Sequence, residues 1–545
     1  MSEHSGRRCA TRSVKPRAGK INADRPIVAV RLSTDEYVTE DGEYGTIEDL
    51  AVRLPELRAS VFICTGSGEL LSILSDSYGD NGRWQYSVAP GFREHWRPHL
   101  AAAGRRVYTN LTIVNWFGFQ GERKQANRYH IALDPLVFSD APTEVRPSTL
   151  PELLQWGKGI RAFCIQENVN IRPTQGAIAR QFLTDPRFYP NDRRKVPRAT
   201  NDRAREYIGG NHYEVRGRDD TYTGHYVDQS SAHHHAARNT DLPSSNSLYA
   251  YGHFRLPGEA APWKVDPERV YEFLGVFKGL VCGHIGWDRR GGQYVPEWMQ
   301  EWRPTKIGDK PGPPTYFYTC ELDLMRSLGV TVTSIVAAWG ATTADEGLPA
   351  YARHAGELVA AGGAYWLKPL LLAAYGCLAT RPKEHSVGFH HSKGGKATDI
   401  PVGKRTLTVS LNEASKELEP STNNVIQRGM IEAATRAESL MYANYLQSEG
   451  FRVLCIYVDA VIVEEDDREI PIFPPWRHKK PLTGLRFISR NAFTSMEMTK
   501  LPGHPDRAAI LAASLGERLP RERIGNRARQ DERLVNHWLD LQTAR

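Results

Sequence analysis

Residues 453–463 read VLCIYVDAVIV, and Asp459 is the one charged residue in this otherwise apolar and aromatic stretch. Such a run of β-branched and apolar residues predicts a strand that is buried on both faces. An ionised carboxylate in that setting is costly unless another group neutralises it. Two interpretations are open: Asp459 pairs with a nearby arginine or a turn, or it binds a metal ion at the bend of a β-hairpin.

The composition indicates a folded protein of several domains. A chain of 545 residues predicts roughly two to four domains, and 40% hydrophobic residues suffice for packed cores. No apolar run reaches the roughly 18 residues of a membrane span, so we expect a cytoplasmic protein with no membrane partner. The seven cysteines include no CxxC pair, which argues against a zinc site and a disulfide framework.

The positive charge of the chain suits a polyanionic partner. The net charge is +7, and basic residues cluster with aromatic residues and glycines at several places. These clusters lie at residues 1–20, 185–205, 390–405, 474–480 and 516–529. Each cluster is either a surface that follows a nucleic-acid backbone or a solvated loop.

The pattern along the chain alternates between strands and helices. Residues 1–25 are predicted to be a disordered basic tail, and residues up to 149 to form a β or α/β unit. Residues 185–205 read as a linker or exposed loop, and residues 224–238 as a strand that runs into a helix. Further helices are predicted at residues 150–169, 172–183, 320–330, 348–362, 365–382 and 423–450.

Two further stretches carry residues suited to phosphate chemistry. In YVDQSSAH, residues 226–233, a strand ends at Asp228 and the chain turns into a helix, which presents a carboxylate and backbone N–H groups to a triphosphate and its metal. A plain helix cap is the alternative. In KPLLLAAYG, residues 368–376, Lys368 and Tyr375 share one helical face, where they bind phosphates and stack a base or simply belong to an amphipathic helix.

These three stretches together make a chemically meaningful set. Asp228 and Asp459 come from separate strands, and Lys368 lies between them in sequence. Two carboxylates and a lysine can place two divalent cations on a nucleoside triphosphate and a primer hydroxyl.

In this order the stretches resemble the three motifs of family B DNA polymerases, DxxSLYP, KxxxNSxYG and YxDTDS. Asp228 and Ser231 match the first motif, and His233 stands where that family has a tyrosine under the incoming sugar. The resemblance therefore implies that Ser231 and His233 bind the nucleotide. In the second motif Lys368, Tyr375 and Gly376 match, and Leu372 and Ala373 replace the Asn and Ser. Pro369 follows Lys368 directly, which predicts that the lysine lies at the start of its helix.

The third motif allows two registers. One aligns Tyr457 and Asp459 with the Y and first D of YxDTDS, and it leaves Val461 at the metal-binding aspartate. The other register is shifted by two residues and places Asp459 at the metal-binding position. We prefer the second register, because it aligns the apolar flanks and explains the carboxylate as one that metal neutralises.

Other features are similar to the protein-primed branch of that family. YIGG, residues 207–210, looks like the YxGG/A motif, so Tyr207, Gly209 and Gly210 are expected to contact DNA. The chain also has room for the two insertions of that branch, at residues 239–348 and 383–420. The second contains a basic hairpin in which Lys393 and Lys396 are expected to bind DNA.

The resemblance implies a multidomain α/β fold, with a right-hand polymerase of palm, fingers and thumb after an N-terminal RNase H-like, exonuclease-type domain. The expected boundaries are residues 1–25 for the tail, 26–205 for the exonuclease-like domain with its linker, and 206–545 for the polymerase domain. The implied cofactor is two Mg²⁺ ions, with Mn²⁺ as a substitute, held by Asp228 and Asp459. A polymerase-derived DNA-binding protein that does not polymerise is the alternative.

The implied partners are a DNA primer-template, deoxynucleoside triphosphates and, in the protein-primed case, a terminal protein as primer. If a phage encodes the chain, its location is the cytoplasm of the bacterial host.

The same resemblance predicts that 3′–5′ exonuclease activity is absent, because that reaction needs carboxylates to hold two metal ions. In the first strand, IVAVRLST, Val30 and Leu32 occupy the expected acidic positions. The stretch YTNLTIVNW keeps Asn110 but has Val114 or Asn115 where an acid is expected. In the following helix the expected aspartate is Ile160, four residues after Trp156. Asp35 and Glu36 are the alternative ligands if these motifs are misplaced.

Overall fold

The computed structural model of the chain describes residues 25–53, 60–65, 70, 83–85, 115–117, 131–135, 147–172, 174–190, 195–207, 213–215, 221–245, 267–287, 314–380, 385–389, 396–402, 405–413, 422–489, 492–497 and 499–500. The chain forms two compact units. The first combines Met1–Lys195 with His354–Asn423, and the second combines Val196–Arg353 with Asn424–Arg545. The domain boundaries expected at residues 25 and 205 stay predictions.

The described helices are α1 Ile47–Arg53, α2 Leu150–Gln166, α3 Gln175–Phe182, α4 Arg198–Tyr207, α5 Ala232–Asn239, α6 Pro267–Val276, α7 Leu322–Ser327, α8 Gly347–Ala360, α9 Leu367–Cys377 and α10 Val425–Ser448. The described strands are β1 Ile27–Arg31, β2 Glu36–Thr39, β3 Tyr44–Thr46, β4 Val61–Cys64, β5 Arg83–Gln85, β6 Asn115–Phe117, β7 Ile131–Leu133, β8 Tyr213–Val215, β9 Tyr222–Gln229, β10 Lys278–Trp287, β11 Thr315–Tyr318, β12 Val330–Ala341, β13 His385–Phe389, β14 Lys396–Val402, β15 Arg405–Glu413, β16 Val453–Tyr457, β17 Ala460–Glu464, β18 Trp476–Ser489, β19 Ala492–Thr494 and β20 Thr499–Lys500.

The first unit is built on one mixed sheet in the order β14-β15-β13-β5-β6-β7-β4-β1-β2-β3. β1, β2 and β3 are antiparallel neighbours, whereas β4 and β7 run parallel to β1. α2 packs directly on β1 and β4 at Gly157, where a Cβ atom would come within 2.6 Å of Ile63 and 2.8 Å of Ile27. Glycine is therefore required for this close approach of helix and sheet. Three antiparallel strands followed by two parallel ones form the sheet of an RNase H-like domain.

The second unit contains an antiparallel seven-stranded sheet in the order β20-β19-β18-β9-β17-β16-β8. Side chains alternate between its two faces along each strand. Val227 and Val461 belong to one core, which includes Leu440 of α10, whereas Tyr226 and Ile462 belong to another core on the opposite face. Burial on both faces explains why β16 and β17 are nearly continuous apolar runs. A separate three-stranded sheet has the order β11-β10-β12.

Three sequence interpretations need correction. The stretch 453–463 is two strands, β16 and β17, joined by a turn at Val458 and Asp459, and not one strand. Residues 185–205 are not simply a linker, since α4 begins within them at Arg198. The acidic stretch 464–469, whose composition suits a solvated hairpin turn, instead begins at Glu464, the last residue of β17, and lies beyond the turn.

The predicted helices at residues 150–169, 172–183 and 423–450 are confirmed within a few residues by α2, α3 and α10. None of the six cysteines within the described ranges forms a disulfide. Searching those ranges finds no helix with the length and hydrophobicity to cross a membrane.

Candidate active site

The two predicted metal ligands lie at one end of the seven-stranded sheet, Asp228 on β9 and Asp459 in the turn that leads into β17. β9 pairs with β17, and Asp228 stands opposite Ala460, the residue that follows Asp459. The backbone N–H of Gln229 donates to the carbonyl of Asp459 at 2.8 Å. Asp228 is buried and Asp459 is half-buried. The structure thus brings these two aspartates together, although their role as metal ligands stays a prediction.

The turn that carries Asp459 is strained. Tyr457 pairs with Ala460, so Val458 and Asp459 form a two-residue hairpin turn. Val458 has a φ of 58°, in the left-handed region that a β-branched residue rarely adopts. Such strain persists only where surrounding contacts hold it, and it is concentrated at functional sites. Asp459 therefore lies at the bend of a β-hairpin, which agrees with both open interpretations, and its binding of a metal ion stays a prediction.

Two cationic side chains of β18 bind the Asp228 carboxylate. Arg477, which stands opposite Asp228 in the strand pairing, places Nε 3.2 Å from Oδ1. Lys479 places Nζ 2.7 Å from Oδ2. Both residues belong to the basic cluster 474–480, so the sequence alone marked this segment as a candidate for binding negative charge. It could not assign these cations to Asp228, because they are 249 and 251 residues away in the chain.

Tyr226 lies close to the candidate site, and the charges there affect the pKa of its hydroxyl. Its side chain is fully buried, and the ammonium of Lys479 lies 5.2 Å from its ring centroid. Burial raises the pKa of the Tyr226 hydroxyl well above its usual range, and the negative charges of Asp459 and Asp228 raise it further. Because both charges act on one tyrosine, the two carboxylates share one small region.

Ser231 and His233 follow Asp228 in the chain, where β9 turns into α5. Ser231 precedes α5 and has a left-handed backbone, with φ 54° and ψ 48°. His233 lies in the first turn of α5. Burial lowers the pKa of the His233 imidazole to about 3, with further contributions from the positive charge of Arg428 and from His234. His233 is therefore a neutral imidazole at physiological pH, and its expected contact with the nucleotide stays a prediction.

The second motif lies in the other unit. α9 begins at Leu367, so Lys368 lies in the first helical turn, as Pro369 indicated. Tyr375 is fully buried and Lys368 is half-buried. Their expected contacts with the nucleotide stay predictions.

Of the residues expected to bind DNA, Tyr207 is the last residue of α4. Its ring stacks on Tyr316, with centroids 3.6 Å apart and an interplanar angle of 16°. Lys396 is the first residue of β14. Gly209, Gly210 and Lys393 lie outside the described residues. The DNA contacts of all five stay predictions.

The donor set at Asp228 and Asp459 fits magnesium. Within the ranges that the structure describes, no group of three or more His, Cys, Asp or Glu residues could hold a metal ion. Mg²⁺, however, is usually held by one or two carboxylates together with substrate phosphates and water. Two carboxylates meet this requirement, although Asp228 already pairs with the cations Arg477 and Lys479.

The positions expected to hold exonuclease ligands carry no carboxylate where the structure describes them. Val30 is fully buried in β1, and β4, its parallel neighbour, has no carboxylate between Val61 and Cys64. Ile160 of α2 is also fully buried. Asn115 begins β6, which lies three strands from β1, while Asn110 and Val114 lie outside the described residues.

The alternative exonuclease ligands lie on the other side of β1. Asp35 has a φ of 55° and lies in the turn before β2, and Glu36 is the first residue of β2 and is exposed. The absence of exonuclease activity stays a prediction.

Comparisons with known proteins identify the fold. No protein-family model and no curated protein matches the sequence. Among solved structures, phi29 DNA polymerase with primer-template DNA and incoming nucleotide substrates matches with a TM-score of 0.57 and 10% identity, over 89% of this chain and 93% of that chain. The orthorhombic crystal form of the same enzyme gives a TM-score of 0.55 at 10% identity, over 89% and 93% of the two chains. Its complex with single-stranded DNA gives 0.53 at 11% identity and the same coverage.

The chain therefore has the multidomain α/β fold of a DNA polymerase, and the predicted fold class is confirmed. At this level of identity the likeness shows the fold alone.

Proposed function

We propose that the chain is a template-directed DNA polymerase that adds deoxynucleotides to a primer by two-metal nucleotidyl transfer. One observation carries the proposal: Asp228 on β9 and Asp459 in the turn before β17, the strand paired with β9, lie at one end of a sheet within a polymerase fold. The resemblance of the three sequence motifs to those of family B polymerases supports the same conclusion. The partners would be a DNA primer-template and deoxynucleoside triphosphates.

The proposed roles of the site residues follow from their chemistry. Asp228 and Asp459 would hold two Mg²⁺ ions, which when bound would activate the primer hydroxyl and stabilise charge on the transferred phosphoryl group. Arg477 and Lys479 orient the Asp228 carboxylate through charge-assisted hydrogen bonds. Lys368 would contact the triphosphate as a fixed positive charge, and the neutral imidazole of His233 would lie under the incoming sugar.

A protein primer belongs to the same proposal. Residues 207–210 resemble the YxGG/A motif of the protein-primed branch, and the chain has room for both insertions of that branch. Replication of the phage type, with a terminal protein supplying the primer hydroxyl, would follow. A DNA primer would use the same two carboxylates.

One observation favours a second candidate, a polymerase-derived DNA-binding protein that does not polymerise. Both oxygens of Asp228 are bound by the side-chain cations Arg477 and Lys479. In a protein without catalysis, such ion pairs would replace the metal and preserve the fold.

Primer extension separates the two candidates. The purified chain is incubated with a labelled primer-template, deoxynucleoside triphosphates and Mg²⁺, and DNA binding is measured separately by fluorescence anisotropy. Template-dependent elongation that disappears in Asp459→Asn supports the polymerase. DNA binding without elongation, with either Mg²⁺ or Mn²⁺, would exclude it and favour the second candidate.

A further inference from the structure

A closed ring of hydrogen bonds joins the two strands that carry the candidate metal ligands. Gln229, the neighbour of Asp228, donates its backbone N–H to the carbonyl of Asp459 at 2.8 Å. Its side-chain Nε2 donates to Oγ of Ser439 at 2.9 Å. Ser439 in turn lies 3.0 Å from the carbonyl oxygen of Val458, the strained residue before Asp459. Ser439 of α10 therefore connects the Asp228 strand with the Asp459 turn.

The Ser439 hydroxyl has one hydrogen and two possible acceptors. The carbonyls of Thr435 and Val458 both lie 3.0 Å from Oγ. A serine inside a helix commonly donates only to the carbonyl four residues earlier. The Thr435 carbonyl, however, also accepts Nε2 of Gln229 at 3.3 Å. The Ser439 hydroxyl can therefore donate to the Val458 carbonyl, which lies outside the helix, while Gln229 donates to the Thr435 carbonyl.

The ring lies in the protein interior, where its bonds are effective. Ser439 is fully buried and Gln229 is 2% exposed. A hydrogen bond that is shielded from water is strengthened, and an unpaired polar group in the same place is costly. Two hydrogen bonds thus offset the cost of a positive φ at Val458. Ser439 donates to the Val458 carbonyl, and the Gln229 backbone N–H donates to the Asp459 carbonyl.

We propose that Ser439 and Gln229 are positioning residues, which hold the Val458–Asp459 turn in its left-handed conformation and thereby set the separation of the Asp228 and Asp459 carboxylates. The part of this inference that concerns metal rests on the proposed function. The part that concerns the turn does not, since it follows from the hydrogen bonds and the backbone of Val458.

A double-mutant cycle tests the proposal. The variants are Ser439→Ala, Val458→Gly and their combination, and glycine is chosen because it adopts positive φ without strain. In metal-free protein, Ser439→Ala should speed amide hydrogen exchange of residues 458–460 about tenfold. In the Val458→Gly background the same substitution should change exchange by less than about threefold, because the turn no longer depends on Ser439.

Metal affinity is the second measurement. The electron paramagnetic resonance signal of free Mn²⁺ gives the dissociation constant without any catalytic turnover. Ser439→Ala should raise this constant about tenfold, the usual scale for a residue that orients a metal ligand. The increase should be smaller in the Val458→Gly background. Ser439→Cys keeps the size of the side chain with a weaker donor, so it should give intermediate values if Ser439→Ala unfolds.

Thr435→Val is the matched control. Thr435 is buried one helical turn from Ser439, and its hydroxyl donates to the helix carbonyl of Ile431 at 2.9 Å. Its removal should leave both the exchange of the turn and the Mn²⁺ constant nearly unchanged. An equal effect of Thr435→Val and Ser439→Ala, or an equal effect of Ser439→Ala in both backgrounds, would overturn the proposal.

Failure of the proposed function has a different signature. In that case Asp459→Asn would leave Mn²⁺ binding unchanged, whereas the coupling between Ser439 and Val458 in hydrogen exchange would remain and support the role of Ser439 in the turn. If Asp459→Asn abolishes Mn²⁺ binding but Ser439→Ala does not alter it, the inferred effect on carboxylate separation is wrong.

Discussion

The ammonium group of Lys479 lies 2.7 Å from Oδ2 of Asp228, while Arg477 contacts the other carboxylate oxygen. A divalent cation that binds Asp228 must therefore compete with two positive side chains. The side chains of Lys479 and Arg477 are 39% and 50% exposed, so both can turn toward solvent or toward a DNA phosphate. We infer that these cations adjust how strongly the site binds metal.

Lys479→Ala should lower the Mg²⁺ concentration that gives half-maximal primer extension by about twofold to fivefold, the range expected for one partly exposed ion pair. A Mg²⁺ titration of extension checks this result, and Mn²⁺ binding to the metal-free protein should shift in the same direction. Lys480→Ala is the control, since Lys480 contacts the carbonyl of Glu497 at 3.2 Å. If the Mg²⁺ concentration for half-maximal extension falls equally in both variants, the cause is the loss of one positive charge from the surface and not the loss of the ion pair with Asp228.

Asp228→Asn and Asp459→Asn should each reduce primer extension by about a thousandfold or more, because each removes a charged metal ligand. Binding of primer-template DNA, measured by anisotropy, should change little. Asp466→Asn is a suitable control, since Asp466 follows the same hairpin and pairs with Arg468 on the surface. Near wild-type extension by Asp459→Asn would show that the chosen register of the third motif is wrong.

Lys368→Ala should raise the apparent KM for deoxynucleoside triphosphates about tenfold, with a smaller change in kcat, since a lysine bound to phosphate contributes mainly electrostatic attraction. Single-nucleotide incorporation at varied nucleotide concentration measures both constants. An unchanged KM would place this lysine, at the start of α9, outside the nucleotide site.

The protein should not shorten 3′-mismatched single-stranded DNA in Mg²⁺ or Mn²⁺, because Val30, Ile160 and the residues of β4 supply no carboxylate to hold the ions. Electrophoresis of end-labelled DNA checks this prediction. Stepwise shortening that disappears in Asp35→Ala or Glu36→Ala would disprove it and identify the alternative ligands.

Glu438 should make the free energy of unfolding depend on pH. Burial raises the pKa of its carboxyl from 4.5 to about 7, and His235 of α5 lies 3.4 Å away with its own pKa lowered, mainly by burial. The stabilising contribution is complete below pH 4.5, where both states are protonated. It is then lost as the pH rises to about 7, because the unfolded state ionises first.

Glu438→Gln should remove this component of the pH dependence, so the variant should gain stability relative to the wild type between pH 5 and about 8. Urea unfolding at several pH values measures the difference. Glu272→Gln, on the exposed surface of α6, is the control. If the free energy of unfolding depends on pH in the same way for the wild type and Glu438→Gln, the raised pKa does not belong to Glu438.

The sequence by itself determined most of the local structure. The continuous apolar run 453–463 indicated burial on both faces, and β16 and β17 are buried in this way. Helical spacing of apolar residues located α2 and α10, and the proline after Lys368 placed that lysine at a helix start. These features depend on side chains close together in the chain, so composition and periodicity are enough to predict them.

Only the tertiary structure decided how the site is assembled. It separated VLCIYVDAVIV into two strands at the strained Val458, and it set Asp228 against Arg477 and Lys479. It also brought Ser439 of α10 within hydrogen-bond distance of Gln229 and of the Val458 carbonyl. The physical reason is that strand order and register come from pairing between distant segments, whose choice depends on burial of the whole sheet and leaves no periodic signal in any one segment.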